Sequence, residues 1–301
     1  MRHFSRPIRS GQHLLKVTDE VITNTTRRWD RAATTYCAIT FLFSWSAWVL
    51  ATKEPDAVLS IAILSLNVTV TRHHALALIG NLAPGIVTIL MLLVTRKSLR
   101  PLLVQLRFPR CSKFLFLFSI AVPVALNFLL LVAEDGMRFE ADKTYVVLFL
   151  NTFALNLFLG PLWEEFGWRG YLLPALLRTH SATSAVAAIS LIWGIWHSVL
   201  YVLVLRVSLF SFAMNFAGIV ALSVVLATLY MVSDQNLILP ILFHISWNTG
   251  LSLVNRIEPT LHAHSLIVQT LVLWVIAVML WFFYREEIQA AAARSLERTL
   301  S

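Results

Sequence analysis

Charged residues are scarce in this chain: Asp, Glu, Lys and Arg make up 13% of its 301 residues, against 58% hydrophobic ones and a mean hydropathy of +0.73. A water-soluble domain carries about 25% charged residues, so a soluble globular fold is excluded. Cysteine is nearly absent. Cys37 and Cys111 lie in a hydrophobic run and a basic loop, which leaves no disulfide framework and no Cys-rich metal centre. No His-Glu-x-x-His helix, internal repeat or low-complexity tract occurs. Nor does any segment alternate in the ten-residue pattern of a transmembrane barrel. The basic residues are not interleaved with aromatics on a soluble face, so nucleic-acid binding is excluded too.

What the chain does contain is a succession of apolar runs long enough to cross about 30 Å of hydrocarbon as helices. They fall near 34–52, 75–95, 114–133, 144–162, 183–205, 207–232, 237–254 and 265–284, and predict an all-α polytopic membrane protein with about eight spans. The run from Val58 to Val70 is interrupted by Ser, Asn and Thr, is too short to span, and reads as an interfacial or re-entrant segment. Residues 1–33 form an N-terminal segment with seven basic and three acidic residues, and the loop from Arg96 to Lys113 has six basic and none acidic. Both are expected to face the cytoplasm, with the acidic loop from Glu134 to Asp142 outside. Eight spans then bring the tail, residues 285–301, back to the cytoplasm as a helix continuing out of the last span. The whole of 34–284 reads as one transmembrane domain in the inner or plasma membrane. The net charge of +8 follows from these basic loops, which attract anionic lipid headgroups.

Against that background the stretch Trp163–Leu177 stands out, because it places Glu164, Glu165 and Arg169 inside a hydrophobic region. A charge at bilayer depth costs at least ~2.5 kcal/mol, so such residues point to function. Gly160-Pro161 is expected to break the fourth span, since proline lacks the amide hydrogen that continues a helix. A new helix starting there holds both glutamates in its first turn, separated by about 100° of rotation and therefore pointing apart. Glu165 and Arg169, four apart, suit an ion pair on one face. Glu164 is left to face a cavity. A carboxylate walled in by Trp163, Phe166 and Trp168 loses solvent and becomes a better base toward water.

Further polar residues lie in later spans: His197, within Trp193-Gly-Ile-Trp-His, and His244 with Asn248, one helical turn apart on a shared face. An imidazole binds metal or orients water, and an Asn amide donates to a developing oxyanion. Each element alone has a structural reading: an interhelical hydrogen bond for either histidine, an internal staple for Glu165 and Arg169. Their joint occurrence favours a hydrolytic site. The tryptophans read as anchors or packing residues. His73-His74 and His262/His264 lack a carboxylate or Cys partner at a recognisable spacing and are not read as metal sites.

These elements, in this order on successive hydrophobic segments, resemble the three signature motifs of the CPBP intramembrane proteases. That family contains the type II CAAX prenyl endopeptidases and bacterial bacteriocin-processing or abortive-infection-like proteins. The likeness spans about residues 144–254. It implies an endopeptidase acting on a membrane-embedded or lipid-anchored protein or peptide, in a cavity among spans four to seven. It makes Glu164 the water-activating glutamate, with Glu165 and Arg169 as its partner positions and His197, His244 and Asn248 as the rest of the site. The second motif usually begins with Phe, whereas Trp193 stands here, as in what looks like a bacterial subgroup. The family is commonly labelled metalloprotease, and Glu164, His197 and His244 match a catalytic zinc ligand set in kind. A metal-free site is equally compatible, with Glu164 and His197 activating water and His244 and Asn248 forming an oxyanion hole. Two rival readings are a non-catalytic immunity or scaffold protein of the same fold and a transporter, the latter suggested by the broken fourth helix.

Overall fold

The computed structural model describes the backbone of residues 10–53, 58–63, 66–108, 112–135, 143–257 and 263–300. The first helix, α1 (Ser10–Ala51), has 42 residues, of which Arg31–Ala51 is apolar enough to cross a membrane. Next comes a hairpin of β1 (Val58–Ile63) and β2 (Leu66–Thr71), antiparallel, with Val58 opposite Thr71 and Ile63 opposite Leu66. This is the segment expected not to span. Its Val, Ile and Thr residues are stiff at χ1 and favour extended backbone, so it adds a small strand pair to an otherwise helical fold.

The chain then continues through α2 (Arg72–Val94), the short α3 (Arg100–Val104), α4 (Lys113–Asp135) and α5 (Lys143–Leu159). After Gly160 come α6 (Pro161–Gly167), a π-helical turn at Trp168–Leu172, and α7 (Leu173–Leu177). Helix α8 (Ala182–Val199) runs into a second π-helical turn, Leu200–Val204, followed by α9 (Leu209–Val232), α10 (Ile238–Ile257), α11 (Ala263–Phe283) and α12 (Arg285–Leu300). Among the described residues seven stretches have the length and hydropathy of membrane spans, and Ile238–Val254 of α10 is a shorter apolar helix. Together they match the eight expected runs. The fourth differs at its end: it does not stop at 162 but runs as Val146–Leu177 across the break at Gly160. Pro161 is accommodated at the first position of α6, where its missing N–H has no helical acceptor to serve.

The tail also departs from expectation. Instead of continuing α11, the chain turns at Tyr284, and α12 lies across the ends of α9, α7 and α8. Ile288 and Ala291 on its inner face are fully buried, which supplies the apolar reason for the turn. The loops after α2 and α9 meet α12 at this same end of the bundle. Asn236 Nδ2 donates to Arg107 O at 2.6 Å, the Leu237 amide to Gln105 O at 2.8 Å, and Gln235 Nε2 to Ala291 O at 3.4 Å. An even number of spans between these loops is what brings them together. The side chains of His73, His74, His262 and His264, and Cys111 and the loop 136–142, lie outside the described residues.

Packing of α1 and α2 shows how the fold manages a proline inside a membrane helix. Pro84 offers no N–H to Gly80, whose carbonyl instead accepts the Ser44 hydroxyl of α1 at 2.8 Å. The Pro84 carbonyl accepts both Tyr36 Oη at 3.2 Å and Thr88 Oγ1 at 2.9 Å. Close approach of α2 to α6 needs two glycines. A Cβ on Gly85 would stand 2.9 Å from the Trp163 carbonyl oxygen, and one on Gly167 would stand 2.5 Å from Pro84 Cβ.

Candidate functional site

Four helical elements converge on the two glutamates. From the break at Gly160, α6 sends Glu164 and Glu165 inward, with side-chain exposures of 4% and 0%. Glu164 falls in the first turn, and Glu165 just beyond it. The expected divergence of the two carboxylates is present. Glu165 Oε1 accepts Arg169 Nη1 at 3.0 Å and His244 Nδ1 at 2.8 Å. Glu164 Oε2 accepts the indole Nε1 of Trp193 at 2.9 Å.

Arg169 begins in the π-helical turn and is completely buried. Its Nη2 donates to Ser223 Oγ on α9 at 2.9 Å and more weakly to the Ser223 carbonyl at 3.4 Å. Its guanidinium carbon lies 4.6 Å from the centre of the Trp193 ring, a cation–π contact. A π-turn carries one more residue than the α-helical repeat, and such turns recur at functional sites. Here it supports the arginine while the Glu165–Arg169 spacing still closes as an ion pair.

The histidines are held through the same kind of bond. His244 Nδ1 faces Glu165, and His197 Nδ1 faces the Trp193 carbonyl at 3.0 Å. Nδ1 of each ring is thereby committed to an oxygen acceptor, which leaves Nε2 as the nitrogen open to other partners. The Trp193 indole contacts both imidazoles edge-on, at centroid distances of 5.1 Å to His197 and 5.3 Å to His244. His197 is half-buried and continues toward Tyr201, with ring centroids 6.1 Å apart. Asn248 lies one turn beyond His244, half-buried, outside the hydrogen bonds around Glu165.

The structure therefore brings Glu164, Arg169, His197 and His244 around one indole and ties Glu165 to it through Arg169 and His244, with Asn248 one helical turn beyond His244. Trp193 and Ser223 were not anticipated as partners. Trp193 read as a packing residue, although its place one turn before His197 on an inward face was the available signal. A serine at 223 in an apolar helix carries no signal at all. The aromatic in contact with the Glu164 carboxylate is Trp193, whereas the neighbours in sequence serve other helices. Trp163 packs on Gly85 and donates to Phe158 O at 2.9 Å, and Trp168 meets Tyr36 and Trp196 edge-on.

For zinc, the donor types fit, since an imidazole that ligates metal through one nitrogen characteristically donates from the other. The arrangement does not. Among the described residues no three His, Cys, Asp or Glu side chains lie close enough to hold one ion, so Glu164, His197 and His244 are not assembled as a ligand set. The Trp193 ring packs against both histidines, and its N–H engages Glu164 Oε2.

What the site offers instead is an asymmetric carboxylate pair. Glu165 is neutralised by a guanidinium and oriented by an imidazole, while Glu164 has one oxygen fixed by a neutral donor. Its other oxygen, Oε1, faces Gly160, where a Cβ would stand 3.8 Å away. Glu165 Oε2 and Arg169 Nε are buried without a hydrogen-bond partner, so the cluster holds polar capacity beyond its internal bonds.

Comparison with curated proteins gives no match to the chain. Residues 146–250, from α5 to α10, match the family described as type II CAAX prenyl endopeptidase Rce1-like. That segment, about a third of the chain, supplies every site residue from Glu164 to Asn248, and there the chain is similar to the Rce1-like type II CAAX prenyl endopeptidases, in keeping with the likeness to the CPBP proteases.

Proposed function

We propose that this protein is an intramembrane endopeptidase that hydrolyses a peptide bond in a membrane-associated or lipid-anchored protein or peptide, using water activated by Glu164. The observation that carries this reading is the division between the carboxylates, one locked into an ion pair and one with an uncommitted oxygen. Glu164 Oε1 takes a proton from water as the water oxygen attacks the scissile carbonyl carbon, and His197 Nε2 orients that water. His244, held by Glu165 at Nδ1, donates from Nε2 when doubly protonated, and with the Asn248 amide it receives the developing oxyanion. In that state the carboxylates, the guanidinium and the imidazolium balance in charge, which a low-dielectric site requires. Collapse of the tetrahedral intermediate breaks the C–N bond, and the proton held by Glu164 passes to the leaving amine. We place the protein in the inner or plasma membrane with both termini in the cytoplasm.

The test is hydrolysis of a prenylated C-terminal peptide, and of a lipidated peptide library, by the full chain in proteoliposomes. Glu164→Gln is isosteric and keeps an acceptor for Trp193. It is expected to abolish cleavage with little change in Tm. A Glu164→Gln protein that cleaves at the wild-type rate would overturn the role given to Glu164. A folded wild-type protein that cleaves nothing, alongside an unaltered cellular phenotype in Glu164→Gln, would favour the non-catalytic scaffold.

A further inference from the structure

A second cavity, of about 1080 Å³, opens at the end of the bundle where the loop after α2, the segment from Gly170 to Arg178 and the α9–α10 turn meet. It backs onto the π-helical turn through Gly170 and Tyr171 but contains none of the proteolytic residues. Among the described residues its wall carries four cations, Lys97, Arg100, Arg107 and Arg178, and one acid, Asp234. Asp234 is already engaged by Arg294 at 3.4 Å. A concave surface lined by one sign of charge focuses its potential on whatever enters, so this cavity favours an anion.

Two features say more about the anion. The first is rigidity. Gln105 ties the loop down by donating to Pro101 O at 3.2 Å and to Gly170 O at 3.4 Å, while its Oε1 accepts the Tyr230 hydroxyl at 3.1 Å. With Asn236 holding the Arg107 carbonyl, the arginines are presented from a preformed frame, which lowers the ordering cost of binding. The second is the apolar character of the same loop. Leu103, Val104 and Phe108 flank the arginines and are 56%, 38% and 78% exposed. Apolar side chains beside cations at the end of a span belong at the boundary of headgroups and acyl chains. Dissolved phosphate would not engage them, whereas a lipid presents phosphate and hydrocarbon together.

We propose that this cavity is a binding site for the phosphate-bearing headgroup of an anionic phospholipid, with Arg100 and Arg107 as forks to the phosphate oxygens and Leu103 and Phe108 against the upper acyl chain. The site is separate from the proteolytic cluster and does not depend on the function assigned to it.

The test uses the full chain in detergent, followed by thermal unfolding during titration with phosphatidylglycerol, phosphatidylcholine or sodium phosphate. Phosphatidylglycerol is expected to raise Tm saturably, with a midpoint on the order of tenfold below that of phosphatidylcholine, and Arg100→Gln/Arg107→Gln is expected to remove that preference. Equal shifts with both lipids, or an unchanged preference in the double variant, would overturn the proposal. A shift by sodium phosphate as large as that by phosphatidylglycerol would overturn the lipid as source. A photoactivatable phosphatidylglycerol on the wild-type protein gives a readout that needs no variant. Label is expected on residues 97–108, and label elsewhere with none there would overturn the site.

Discussion

The indole N–H of Trp193 and the Oε2 of Glu164 are 2.9 Å apart, so the residue that opens the second motif grips the carboxylate of the first. The same ring lies under the Arg169 guanidinium and edge-on to His197 and His244. One side chain therefore sets the spacing of four ionisable groups contributed by α6, the π-turn, α8 and α10.

Trp193→Phe keeps an aromatic ring but removes the donor. A hydrogen bond to a charged group contributes about 1.5–3 kcal/mol, so kcat is expected to fall about 10- to 100-fold with KM nearly unchanged. Steady-state kinetics on a lipidated peptide checks this. A change confined to KM would place Trp193 in substrate binding instead.

Glu165→Gln leaves the Arg169 guanidinium buried without its counter-charge. Removing one member of such a pair costs about 3–5 kcal/mol, and a marked drop in Tm is expected. Glu165→Gln/Arg169→Met is expected to recover part of that loss, because it removes the uncompensated charge. Neither variant should be active, since His244 loses its charged acceptor at Nδ1.

Gly167→Ala pushes a methyl group onto Tyr36 Oη and to within 2.7 Å of the Pro84 carbonyl carbon. Backbone at that distance cannot swing away, so α6 must separate from α2 at a cost of about 1–3 kcal/mol. Adding Tyr36→Phe relieves the contact with the hydroxyl but not the one with Pro84. Thermal unfolding of both variants should show partial rescue only.

Orientation is accessible to labelling. In a Cys37→Ser/Cys111→Ser background, Ser98→Cys is expected to react with an impermeant maleimide only after the cytoplasmic side is opened. Val207→Cys, between α8 and α9 at the other end of the bundle, is expected to react from outside. The reverse pattern would invert the assigned topology.

Much of this architecture was legible from the order of residues, and the reasons are local. Hydrocarbon thickness dictates the length of an apolar run, so the spans could be read directly, and a Gly-Pro pair in such a run announces a break. Spacing of four predicts the Glu165–Arg169 pair because both lie on one helix. What could not be read depends on contacts between helices. That Glu165 also holds His244, that Arg169 reaches Ser223, and that Trp193 bonds Glu164 are relations across 79, 54 and 29 residues of sequence, and no periodicity reports them. The fold-back of α12 was missed because Ile288 and Ala291 among charged neighbours resemble an exposed helix until a partner surface is known.

The clasp between α1 and α8 has a consequence for modularity. Trp45 Nε1 donates to the Trp196 carbonyl at 2.9 Å, and Trp48 stacks at a tilt on the Trp196 ring, 4.9 Å between centroids. The family-matched core thus borrows part of its outer wall from a helix that bears no signature of its own. A chimera that exchanges residues 146–250 between relatives without their first span would carry mismatched indoles against the back of the helix that holds His197. Transplanting this protease core means moving α1 and α8 as one inherited unit.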